Sequence, residues 1–249
     1  MRLNAKIALI GSSQFGISGP LDCHVYAVRG RTGIVLIDVG GGTHTKTLLS
    51  NLREDLGASD IEAALITHSH PDHSTGAAEV RRMTGANILT SDLSRAAIET
   101  GDEIATGLSA ARRAGIYPPD FQLAPCGVDA TFHDGDVLEL AGLKFSAIHV
   151  RGHSRDSFCF LTEVDGLHII FAGDVLFYGG ILGLINSECS EIAGYRADLC
   201  KLAGLKVDAL LPGHGLFTLT HGQTHIDCAL EQLGRNFLPR QIGQGDVIF

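Results

Sequence analysis

The chain has 249 residues, 45% of them hydrophobic and 19% charged, a balance that suits a soluble globular protein with a sizeable core. Its formal net charge of -9 argues against nucleic-acid or anionic-membrane partners, because phosphate binding draws on clustered Lys and Arg. No apolar run approaches the roughly 18 residues of a membrane span, and "MRLNAKIALIGSS" lacks the length and cleavage site of a secretory signal, so a cytoplasmic protein is expected.

In chain order, "KIALIG" (6–11), "DCHVYAV" (22–28) and "GIVLIDV" (33–39) read as strands, short, rich in Val and Ile and bounded by Gly and Pro. After the break "GGGT" (40–43), "HTKTLLSNLREDLG" (44–57) carries apolar residues at helical spacing and a terminal Gly that suits a C-cap. "EAALIT" (62–67) is a buried strand, "GAAEVRRMTG" (76–85) a helix and "ANILT" (86–90) a strand. Residues 91 to about 120 read as a helical insertion ending in "GIYPPDF"; a surface helix pair is the simpler reading and a lid the alternative. From 131 to 173 strands dominate, with "DG" at 165–166 as a hairpin signal. Residues 188–203 read as helix, "VDALLPG" (207–213) as strand and "THGQTHIDCALEQLGRN" (220–236) as helix, while the tail to Phe249 carries no pattern. The order fits two similar α/β halves within a single domain spanning 1–249. The six cysteines are scattered with no CxxC pair, so free thiols are expected.

The densest chemistry lies in "HSHPDH", residues 68–73. In an extended loop His68 and His70 point to the same side, whereas Asp72 and His73 lie at the turn into the next helix and project differently. One pair can therefore serve one ion and the second pair another, and each ion needs further ligands, since zinc takes about four. Three isolated candidates each follow an apolar run: His153 in "AIHVRGHS", Asp174 in "HIIFAGD" and His214 in "ALLPGHG". Adjacent glycines let the chain turn and approach closely.

"THSHPDH", "GHS", "FAGD" and "PGHG", in this order and at these separations, resemble the metallo-β-lactamase superfamily, and "VYAVRGRTGIVLIDVGGG" is similar to that family's opening strands and Asp-Gly turn. The resemblance implies a four-layer αββα sandwich with metals at one rim. It implies that His68, His70 and His153 hold the first ion, Asp72, His73 and His214 the second, and that Asp174 bridges them. An aspartate at the bridging place is similar to glyoxalase II and the lactonases. Two departures stand out. "GHSRDS" has Asp156 where such relatives often have Gly, and the 35 residues after His214 leave no room for glyoxalase II's helical extension.

Two divalent ions about 3.5–4 Å apart can share a hydroxide, and metal binding lowers the pKa of water from 15.7 to roughly 7. The expected reaction is hydrolysis of an ester, thioester or lactone, with two divalent ions, zinc foremost and iron or manganese as alternatives. Asp72 can accept a proton besides ligating. Tyr178 is a candidate donor to a developing oxyanion, and the apolar stretch after Asp174 a candidate pocket wall. His24 is a candidate substrate contact. Arg155 is a candidate for an anionic substrate group, and Asp156 for orienting His153. His44, His133, His149, His168, His221 and His225 read as surface or structural residues. The substrate is expected to be a small molecule, with no nucleic acid and no membrane as partner and a homodimer left open. The alternatives are a one-iron oxygenase similar to persulfide dioxygenases and a phosphodiesterase, the latter disfavoured by the acidic charge.

Overall fold

A computed structural model describes residues 1–242, which fall into two compact units, Met1–Phe132 with Glu139–Gly142, and His133–Leu138 with the chain from Leu143 onward.

The first unit is built on a six-stranded sheet in the order β1(Ile7–Gly11), β2(Val25–Arg29), β3(Ile34–Ile37), β4(Ile61–Leu65), β5(Asn87–Ser91), β6(Ala130–Phe132). The first three strands pair antiparallel, and β3 to β6 run parallel. Parallel neighbours need crossovers, and helices supply them. They are α1(Thr45–Leu56), the single turn α2(Pro71–Ser74), α3(Ala77–Thr84), α4(Asp92–Thr100) and α5(Leu108–Arg113). Strand β3, "IVLI", is buried at every position, as a strand covered on both faces must be. Leu48, Leu49, Leu52 and Leu56 of α1 are buried in one cluster with Leu36, Ala64 and Ile88 of the strands. Each fully buried leucine stabilises by about 1.5–3 kcal/mol over an exposed one. Helix α1 ends where its glycine predicts: Gly57 takes φ 60° and its N–H bonds Arg53 O at 2.8 Å. Strand β6 lies at the edge of this sheet, although its sequence reads as the start of the later strand-rich segment.

The second unit carries a sheet in the order β13(Ala209–Pro212), β10(Leu167–Gly173), β9(Phe158–Val164), β8(Leu143–His149), β7(Val137–Leu140), in which β10 and β13 are parallel. The predicted β9–β10 hairpin forms on Asp165 and Gly166, at φ 54° and 80°, so both central residues have the positive φ of a tight hairpin. Helices α6(Ile192–Asp198) and α7(Gly222–Gly234) bury Tyr195, Ile226, Ala229 and Leu233 in one cluster with Ile170, Ala172 and Leu210. The apolar stretch after Asp174 folds into a small hairpin, β11(Leu176–Phe177) and β12(Ile181–Leu182), turning on Gly179 and Gly180, both at positive φ. Among the described residues no helix is long and apolar enough to cross a membrane, and all six cysteines are free.

Asp198 ties α6 to the chain leaving β8. It accepts from the backbone N–H of Arg151 at 3.2 Å and from its guanidinium at 2.6 Å, and its other oxygen lies 3.2 Å from the Lys201 ammonium. Burial pushes the carboxyl up, but the Arg151 and Lys201 donors outweigh it and hold the group below its ordinary range. A folded pKa below the unfolded one gives stability that is present above about pH 4 and lost as pH falls through the folded value. Asp198→Asn is therefore expected to lower stability at pH 7 by about 1–2 kcal/mol, with the deficit shrinking below pH ~4; urea unfolding at the two pH values reads it directly.

Candidate metal centre

Parallel register brings the first set of donors together. Ile37 of β3 pairs with Leu65 of β4, so the residues leaving both strands emerge side by side at one sheet end. Asp38 follows β3 and "ITHSH" follows β4. Carboxyl ends of parallel strands are where α/β sheets place ligands. Pro71 opens the turn α2, where its missing N–H costs nothing, and Ser74 Oγ donates to the carbonyls of Ser69 (2.9 Å) and His70 (3.0 Å), closing the loop on itself. The turn carries Asp72 and His73.

His68 and His73 are fully buried, with ring centroids 4.2 Å apart. His68 Nε2 lies 3.1 Å from His70 Nδ1, and His73 Nε2 lies 3.5 Å from Asp72 Oδ2. Behind them stands Asp38, 1% exposed. Its Oδ1 accepts the Thr67 N–H at 2.8 Å; its Oδ2 accepts the Thr67 hydroxyl at 2.9 Å and lies 2.8 Å from His73 Nδ1. A proton on Nδ1 donated to that carboxylate leaves the lone pair of His73 on Nε2, the nitrogen beside Asp72. Burial pushes the Asp38 carboxyl up, and His73 and Thr67 pull it only part of the way back. Cys23 completes this cluster, its sulfur within 4.8 Å of donor atoms of Asp38 and His73; burial pushes the thiol up, so it is a protonated packing group and not a nucleophile.

The second unit repeats the device. Gly173 of β10 pairs with Pro212 of β13, so Asp174 and Gly213–His214 leave parallel strands at the same end. His153 lies in the loop joining antiparallel β8 and β9, and β9 begins beside the end of β10. Asp174 Oδ2 stands 3.5 Å from His153 Nε2 and 3.6 Å from His214 Nε2, so one carboxylate oxygen faces two imidazoles. His153 Nδ1 donates to the Gly183 carbonyl at 2.6 Å, which leaves its lone pair on Nε2. Gly183 must be glycine: a Cβ there would lie 1.7 Å from the Asp174 carbonyl oxygen. Tyr195, fully buried, accepts the Gly183 N–H at 3.0 Å and donates to Val175 O at 2.8 Å, fixing the hairpin that carries this carbonyl.

These spacings test whether the donors fit a metal. Atoms about 2.0–2.2 Å from a tetrahedral ion stand roughly 3.3–3.6 Å apart. The four pairs above span 3.1 to 3.6 Å, and each pairs imidazole with imidazole or carboxylate, as zinc accepts. Each of these pairs therefore has the spacing and donor types of two ligands on one divalent ion.

His24 is 1% exposed and stacked at 5.2 Å on Phe15; the adjacent Cys23 N–H donates to Asp72 O at 3.3 Å, so this segment braces the metal loop. Arg155 is exposed. Tyr178 is 43% exposed with its ring 4.2 Å from that of His225, whose Nδ1 accepts the Gly179 N–H at 3.0 Å. Asp156 accepts from Ser154 Oγ at 2.6 Å, and the Gly183 carbonyl accepts from His153 Nδ1. Sequence reasoning passed over Asp38, although its signal, an acid directly after a buried apolar run, is the one that marks Asp174. It also passed over Tyr117 of the insertion, which is 8% exposed and donates to Asp72 Oδ1 at 3.1 Å. Burial and the nearby Asp72 push that phenol up, so it stays protonated.

Residues 18–214 match the family model described as the metallo-beta-lactamase superfamily, and the chain belongs to that family. It is similar to the acyl-coenzyme A thioesterase MBLAC2 of Bos taurus, 32% identical over 209 residues that cover 77% of this chain and 72% of the relative. It is also similar to a hydroxyacylglutathione hydrolase of Albidiferax ferrireducens, 25% identical over 220 residues covering 86% and 69%. Among solved structures, native FEZ-1 metallo-beta-lactamase from Legionella gormanii shares the fold at TM-score 0.72 and 19% identity, covering 95% of this chain and 94% of that one. The fold is therefore the α/β sandwich of the metallo-β-lactamases, and family and relatives together make the chain a metal-dependent hydrolase.

Proposed function

We propose that the chain is a dinuclear metal hydrolase of thioesters, with His68, His70 and His153 holding one ion, Asp72, His73 and His214 the other, and Asp174 shared. The observation that carries the dinuclear reading is the single Asp174 oxygen standing 3.5 and 3.6 Å from two imidazole nitrogens, one from each proposed ligand set. The choice of thioester over ester and lactone rests on relatives whose names are acyl-coenzyme A thioesterase and hydroxyacylglutathione hydrolase.

Two bound ions, zinc foremost, supply a nucleophile from water at neutral pH and polarise the scissile carbonyl. The chain's own residues do the rest. Asp38 and the Gly183 carbonyl hold His73 and His153 in the tautomers that present Nε2. Asp72 offers a carboxylate that ligates and can accept a proton. Arg155 and Tyr178, both exposed, are assigned to an anionic group of the substrate and to the developing oxyanion. His24 is packed beneath Phe15 and is given a supporting role.

Elemental analysis of the purified protein, with assays on acyl-coenzyme A and acyl-glutathione thioesters, an aryl ester and a lactone, tests this reading. About two ions per chain and preferential thioester cleavage, lost on chelation and restored by zinc, are expected. One iron per chain with oxygen consumption on a persulfide would overturn it.

A further inference from the structure

The insertion between β5 and β6 is more than a surface helix pair. Leu108, Tyr117, Phe121 and Leu123 form a buried cluster of their own, and Leu21 packs against it. Arg112 pairs with Glu103 across the insertion. From this base it reaches the metal loop twice. Gly107, at φ 77°, lies beside the His70 ring, where a Cβ would make ordinary van der Waals contact at 3.8 Å. The Tyr117 hydroxyl donates to Asp72 Oδ1 at 3.1 Å, while the other oxygen of the same carboxylate faces His73 Nε2 at 3.5 Å.

We propose that Tyr117 is a positioning residue: by occupying Oδ1 of Asp72 it fixes the carboxylate plane, so that Oδ2 alone is presented to the ion shared with His73. This rests on the dinuclear reading above. The physical reason is entropic and geometric. A carboxylate on one rotatable stem samples several orientations, and only one directs a lone pair at the ion. A buried donor on the far oxygen selects it in advance, and loss of such a partner costs a metal site roughly 10–100-fold in affinity. The hydroxyl acts on Asp72, so its loss is expected to fall on the ion assigned to Asp72, His73 and His214.

Tyr117→Phe removes the hydroxyl and keeps the ring in its cluster. Chelator competition on the full chain loaded with zinc is expected to show one ion, that assigned to Asp72, His73 and His214, bound about 10–100-fold less tightly and the other unchanged. Cobalt-substituted protein is expected to lose part of its visible absorption at one ion per chain while keeping the rest, and kcat is expected to fall more than KM changes. Phe121→Leu loosens the same cluster but keeps the hydroxyl, and is expected to leave both affinities near wild type. Two ions held by Tyr117→Phe with wild-type affinity and spectrum would overturn the proposal. So would an equal loss in Phe121→Leu, which would make the effect one of packing. Wild-type protein that holds a single ion would overturn the dinuclear reading itself, and this proposal with it.

Discussion

Asp174→Asn is expected to reduce thioester hydrolysis by about 10³-fold while the protein stays folded. Asparagine keeps the size of the side chain and one carbonyl oxygen but removes the charge. In the native turn after β10 the carboxylate is 6% exposed and its Oδ2 stands 3.5 Å from His153 and 3.6 Å from His214. Two cations held close together repel, and an anionic ligand between them is what offsets that repulsion in a partly desolvated site. Without the charge the second ion should leave first. Losing one ion's polarisation of the reacting carbonyl forfeits several kcal/mol of transition-state stabilisation, and 10³-fold corresponds to about 4 kcal/mol. Metal content and kcat should therefore fall together in parallel measurements on one preparation. Full occupancy by two ions in the variant would remove Asp174 from its shared role.

Asp38→Ala is expected to act on stability as well as on metal. The carboxylate serves three buried donors, the Thr67 N–H at 2.8 Å, the Thr67 hydroxyl at 2.9 Å and His73 Nδ1 at 2.8 Å. Its removal strands all three where water does not reach, since Thr67 and His73 are 1% and 0% exposed. A single stranded donor costs about 1–3 kcal/mol, so with three donors left unpaired a loss of roughly 3–5 kcal/mol is expected. That corresponds to a melting temperature lower by about 10 °C for a chain of this size. With Nδ1 no longer tied, His73 can flip or change tautomer, and affinity at its ion should drop roughly 10–100-fold. Thermal melts with and without metal separate the two effects: added zinc should rescue the wild type more than the variant. Equal stabilisation of both by zinc would show that Asp38 supports only the fold.

The two variants also explain how much of the site could be read in the chain. A metal ligand declares itself by residue type, because few side chains bind zinc, and by position, because turns after buried strands are where such side chains escape the core. The candidate ligands "HSHPDH", His153, Asp174 and His214 satisfy both conditions, and the DG turn at 165–166 was legible for another reason, because its backbone demand is local. Asp38 obeys the same rule as Asp174, yet nothing in its immediate neighbours distinguishes an acid that supports a ligand from one that caps a turn. Its role is set by the parallel pairing of Ile37 with Leu65, which brings "ITHSH" alongside it.

What the sequence determined by itself is therefore whatever depends on short-range chemistry. That covers the candidate ligand types, the strands that precede them, the helix ends with their glycines and the family whose pattern they match. Only the tertiary structure decided the supporting contacts. It set the Gly183 carbonyl on His153, Tyr195 beneath that carbonyl, Asp198 on Arg151 and Tyr117 on Asp72, pairs separated by 30, 12, 47 and 45 residues. Such contacts carry no periodic or local signature, because a tyrosine or a backbone carbonyl is suitable almost anywhere. Which one meets a given ligand is fixed only when the strands have paired and the helices have packed.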